Sequence, residues 1–87
     1  MSLKNCKLIK NENGTYNALV LEHRDVGGKI QTETIESQYD LGPMEAKRFL
    51  ACRGVYPDEV AAALAQMYRS KKNVASFGYF GTFVNLQ

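Results

Sequence analysis

An α+β fold is what this sequence predicts: a three-stranded antiparallel meander, then two helices and a C-terminal strand (β-β-β-α-α-β), with both helices on one sheet face. Three observations carry the expectation. Two glycine turn signals, Asn13-Gly14 and Gly27-Gly28, separate segments of strand character in the first half of the chain. Gly42-Pro43 and Pro57-Asp58-Glu59 each open a segment with helical spacing of apolar residues. The closing stretch, Val74 to Gln87, carries no charged side chain. At 87 residues the chain makes a single domain, 1–87.

Leu3–Glu12 and Thr15–Arg24 flank Asn13-Gly14, the dipeptide that favours a two-residue type I′ turn. Such a turn sets Glu12 opposite Thr15, Leu8 opposite Leu19 and Cys6 opposite Leu21. Those last four residues then share one face, and Tyr16, Ala18, Val20 and Ile9 share the other. The second strand is apolar on both faces from Ala18 to Leu21, which suits a central position.

The third strand, Lys29–Ser37, follows Gly27-Gly28. A two-residue turn there would place Glu22 opposite Glu33, a like-charge pair. A three-residue loop from Gly27 to Lys29 is therefore the expected register, with Leu21 opposite Ile35 and His23 opposite Glu33.

Pro43 suits the first position of a helix, and Glu45 complements its N-terminal dipole. Ala46, Phe49, Leu50 and Arg53 lie on one side, and Gly54 serves as the C′ residue. In the second helix Val60, Leu64, Met67, Tyr68 and Lys71 follow helical spacing. Alanines at 61, 62, 63 and 65 favour helix and allow close approach. Arg69, Lys71 and Lys72 complement its C-terminal dipole, and Asn73 ends it. Val74–Gln87 reads as a last strand, kinked or divided at Gly78 and Gly81. It holds four of the nine aromatic residues, Phe77, Tyr79, Phe80 and Phe83.

Each candidate chemistry has a plain structural counterpart. Glu22-His23-Arg24-Asp25 is the only cluster with a histidine, and in a strand its side chains diverge. A thiol or acid–base enzyme centred on His23 would draw on Cys6 and Glu33 across the strands; the plain reading makes Cys6 a small core residue. One histidine and two distant cysteines do not make a zinc site, and no calcium-loop pattern occurs. No Walker or dinucleotide motif is present, and Pro43 lacks the N–H that would help to bind an anion. Neither a cofactor nor a metal is expected.

The net charge of +2 is too small to imply a polyanion partner by itself. It is unevenly spread: five basic against six acidic residues in 1–42, six against three in 43–87. A nucleic-acid module would use Arg48, Arg53, Arg69, Lys71 and Lys72 with nearby aromatics. The plain reading gives these charges to helix ends and solvated faces. Gly78-Tyr79-Phe80-Gly81-Thr82-Phe83, after Lys71-Lys72, is similar to the Gly-Phe-Gly-Thr-Phe strand of bacterial histone-like DNA-bending proteins. In that family two helices come first and a long basic arm follows the strand, whereas here a meander comes first. The likeness is one of strand chemistry and implies no kinship.

No apolar run approaches the roughly 20 residues needed to span a bilayer. Lysines at 4, 7 and 10 interrupt any secretion signal, and two cysteines are few for a disulfide-built domain. A cytoplasmic chain with reduced thiols is expected. A domain of this size buries only about 60–65% of its unfolded surface, so association adds useful stability. An uncharged aromatic strand also lacks the usual edge protections. The sequence thus reads as a non-enzymatic interaction or regulatory module. The expected partner is a second copy or another protein, held through its sheet or through Phe77, Tyr79, Phe80 and Phe83. Nucleic-acid binding and an enzyme centred on His23 are the alternatives.

Overall fold

The computed structural model describes residues 2–78. Its elements are β1 (Ser2–Lys10), β2 (Tyr16–Val26), β3 (Lys29–Leu41), α1 (Pro43–Ala51), α2 (Pro57–Ser70) and β4 (Val74–Gly78). The strands form one antiparallel sheet in the order β3-β2-β1-β4. The β-β-β-α-α-β order of the sequence reading is the observed one. The α1–α2 crossover returns the chain to the far side of β1, leaving β3 and β4 as the two edges of the described sheet.

One sheet face is dry. Cys6 and Leu8 of β1, Ala18 and Val20 of β2 and Phe77 of β4 are buried there, with Leu41 at the end of β3. Ala46, Phe49 and Leu50 of α1, Val55 of the connection and Val60 of α2 close over them. Both helices therefore lie on this face, as alternation along the strands requires.

The hairpin registers differ from those expected. β1 pairs with β2 as Cys6↔Val20 and Leu8↔Ala18, one residue away from the type I′ register. The loop holds three residues, Glu12 to Gly14. Asn11 accepts a hydrogen bond from the Gly14 N–H at 3.1 Å and donates to the Thr15 carbonyl at 2.8 Å. Gly14 has positive φ (88°), and Asn13 does not. The Asn13 side chain accepts from the Thr15 N–H at 3.0 Å, an Asx turn that holds Asn13 out of the left-handed region. The slip exchanges the faces, so Ala18 and Val20, and not Leu19 and Leu21, share the core with Cys6 and Leu8.

The type I′ signature falls instead at Gly27 (φ 60°) and Gly28 (φ 83°), with Val26 opposite Lys29. Glu22 does face Glu33 and His23 faces Thr32, because Arg24, two residues along, supplies the cation that Glu22 needs. Between Leu21↔Thr34 and Val20↔Glu36 the strand takes in an extra residue, Ile35. Beyond this bulge the pairs Val20↔Glu36, Leu19↔Ser37 and Ala18↔Gln38 follow the register of the expected three-residue loop. Both registers thus occur, one on each side of Ile35.

The helix ends follow their sequence signals. Glu45 accepts from the Gly42 N–H at 3.1 Å, in front of Pro43. At the far end Gly54 has φ 91° and donates to the Ala51 carbonyl, while Val55 donates to that of Leu50, both at 3.0 Å. This is a Schellman closure, and it turns Val55 into the core. α2 ends at Lys71 in the left-handed conformation (φ 57°), ahead of Asn73.

Candidate interaction surface

The free edge of β3 is the least covered part of the described chain. Every residue from Lys29 to Asp40 is exposed, and only Leu41 is buried. β2 loses its cover from Arg24 onward. Beyond Arg24, where the pairing of β2 with β1 ends, the β2–β3 hairpin is a two-stranded tip, Asp25 to Ile30, with both faces in water. Its apolar residues are open, Ile30 67% and Val26 50% exposed, as is Tyr39 (61%) toward the body end of β3.

The two-residue turn decides which backbone groups face outward. Val26 and Lys29 bond to each other across the turn, as do Arg24 with Gln31 and Glu22 with Glu33. The N–H and C=O groups of Ile30, Thr32 and Thr34 therefore point away from β2, toward a side where no described strand lies.

Charges along the hairpin are unevenly matched. Glu22 is nearly buried and accepts from Arg24 Nε at 2.8 Å. This carboxylate raises the pKa of the Arg24 guanidinium, through the hydrogen bond first and its charge second. Glu33 and Lys29 form no close ion pair with any described residue, although the charge of Glu33 reaches Arg24 and adds to the rise of its pKa.

Nearer the body, α1 is fastened to β3 by Arg53. The Arg53 guanidinium pairs with Glu36, donates to the Phe49 carbonyl at 2.8 Å, and stacks 3.5 Å from the centre of the Phe49 ring. A solvent-open cleft of about 300 Å³ lies beside it, lined by Gln38, Glu45, Arg48, Phe49, Cys52 and Arg53. A second, of about 240 Å³, lies between α2 and β4, with Ala63, Met67 and Val74 in its wall.

The residues singled out in the sequence are dispersed. Phe77 pairs with Cys6 and is buried in the core of its own chain, so its ring is not offered to a partner. Tyr79, Phe80 and Phe83 lie outside the described residues. Arg48 and Arg53 stand at the end of α1, with Arg53 occupied by Glu36. Arg69, Lys71 and Lys72 gather at the end of α2. There Lys10, which the sequence reading did not include, brings its ammonium 5.9 Å from the centre of the Tyr68 ring. The five basic residues thus divide between the ends of the two helices.

Cys6, His23 and Glu33 are not brought together. Cys6 is buried under the helices, where desolvation pushes its thiol up to about 11. His23 is on the opposite face, hydrogen-bonded to Thr32 at 2.8 Å and to Asn5. Glu33 stands across from Glu22. No group of His, Cys, Asp and Glu among the described residues is arranged to hold a metal ion, and no described helix is long and apolar enough to cross a membrane.

The fold and this surface define a small α+β domain with one long sheet edge that no described residue covers. No protein-family model, curated protein or solved structure matches the chain.

Proposed function

We propose that this chain is a small non-enzymatic interaction module that associates with a second copy of itself through the outer edge of β3. One observation carries the reading: a strand of 13 residues with all but its last exposed, whose outer edge no described residue pairs with and whose tip, beyond Arg24, has only β2 beside it. An isolated two-stranded ribbon is marginal in water, and a third strand beside it supplies the missing hydrogen bonds and apolar cover. The edge is polar and charged, so pairing there is selective and not a general stickiness.

Light scattering across a concentration series tests this. A mass moving from one to two chains as concentration rises is the expected result. A single chain at high micromolar concentration overturns it. Binding to duplex or single-stranded probes that weakens steeply with salt, without self-association, would put the nucleic-acid reading in its place.

A further inference from the structure

We infer that two copies join β3 to β3 in one antiparallel register, centred on Gln31, in which Lys29 of each chain faces Glu33 of the other. This deepens the proposed self-association and rests on it.

Two copies related by a two-fold axis perpendicular to the sheet pair their edges antiparallel, with both sets of helices on the same side. The outward backbone groups of Ile30, Thr32 and Thr34 must then bond to outward groups of the partner, which limits the register to steps of two residues. Centring on Glu33 opposes two carboxylates. Centring on Thr32 sets Glu33 against Gln31 and Lys29 against Ile35. Centring on Ile30 sets Lys29 against Gln31. Centring on Gln31 alone matches opposite charges: Lys29 with Glu33, Gln31 with Gln31, and Glu33 with Lys29. Ile30 faces Thr32 on the other side of the ribbon. Lys-Ile-Gln-Thr-Glu (29–33) is thus complementary to itself when reversed.

Lys29 and Glu33 lie on one face of one strand, about 13 Å apart, too far to pair within the chain. The added strand gives each a partner of opposite charge directly across the ladder. It also brings an ammonium beside Glu33, which its own chain sets against Glu22. Opposite charges directly across a ladder attract and like charges repel, and the two-fold axis repeats the effect. The shared ladder runs from Gly28 to Thr34, at the small end of specific interfaces, so association depends on concentration.

The experiment measures the dimer constant by sedimentation for wild type, Lys29→Glu, Glu33→Lys and the double variant. Thermal unfolding confirms that each folds, since both side chains are exposed. Either single change turns two attractions into two repulsions and weakens the wild-type dimer by roughly tenfold or more. An equimolar mixture of the two single variants restores association, because one chain then has carboxylates at 29 and 33 and the other has ammonium groups at both. The double variant restores the homodimer. A wild-type dimer that both single variants leave intact, or variants that do not rescue one another, overturns this register and leaves β3 association standing. A monomeric wild type removes both.

Discussion

Replacing Val20 by alanine is expected to cost more than replacing Leu19, although leucine loses the larger group. Val20 is fully buried between Cys6 of β1 and Glu36 of β3, under the helices. Removing two methyl groups forfeits about 1.6 kcal/mol of transfer energy, and the space left behind adds to that. The sheet cannot close over it, because Cys6 and Ala18 are too short to fill the gap. The total is about 2–3 kcal/mol, a large part of the roughly 4–13 kcal/mol expected for a chain of this length. Leu19 is half-buried on the opposite face, and its truncation costs about 1 kcal/mol. Urea denaturation followed by circular dichroism separates the two. With a slope of about 1–3 kcal/mol per molar, Val20→Ala lowers the midpoint by roughly 1–2 M and Leu19→Ala by less than half as much. Equal losses, or a larger loss for Leu19→Ala, would refute the observed hairpin register, since the alternative register exchanges the two faces.

Three further outcomes are expected. Above the ordinary thiol value of 9.0 the unfolded chain gives up the Cys6 proton, whereas the folded chain holds it to about 11. Stability therefore falls as pH rises through that window, and the fall is shallower in Cys6→Ala; parallel urea titrations would show no difference if the thiol were solvated. At Gly27 a Cβ meets nothing within 4 Å, so only the positive φ resists substitution. Gly27→Ala should cost about 1 kcal/mol and Gly27→Asn close to nothing in thermal unfolding, and equal costs would argue against the type I′ turn. In hydrogen exchange, the amides of Ile30 and Thr32 should slow as protein concentration rises, while Gln31 and Glu33, already bonded to β2, change little; exchange independent of concentration speaks against edge pairing.

Helix positions were legible because each boundary signal acts locally. Pro43 and Pro57 begin helices, and Gly54 ends one through its own backbone angle. Register was not, because a turn dipeptide marks where the chain reverses and not how many residues the loop holds. At Asn13 a side-chain hydrogen bond chose the three-residue loop. At Glu22 the like-charge objection failed because Arg24 stands two residues away on the same face. The aromatic tail drew attention as an unprotected edge, and its first ring, Phe77, is core. That β3 is an edge at all depends on β4 returning beside β1, a topological choice with no local signal. One trace was present: between Lys29 and Asp40 only Ile30, Ile35 and Tyr39 are apolar, too few for a strand covered on either face.

Edge strands are defended against chance pairing by charges and bulges, and β3 carries both: Lys29, Glu33, Glu36 and Asp40, with Ile35 as the extra residue. Such defences act by opposing like charges in most registers. They do not act alike in all of them. Glu36 is withdrawn by Arg53, and Glu22 by Arg24, while Asp40 lies on the body side of the bulge. Lys29 and Glu33 are left, one of each sign, at positions that meet only when the strand is laid against its own reverse. The bulge bounds the arrangement, since beyond Ile35 the alternation of outward backbone groups shifts and the ladder cannot continue toward the body. A pattern that repels strangers over 13 residues thus leaves one short segment open to a copy of itself. Selectivity here comes from the same charges that keep the edge soluble, and reversing one of them should remove the self-match without making the strand stickier.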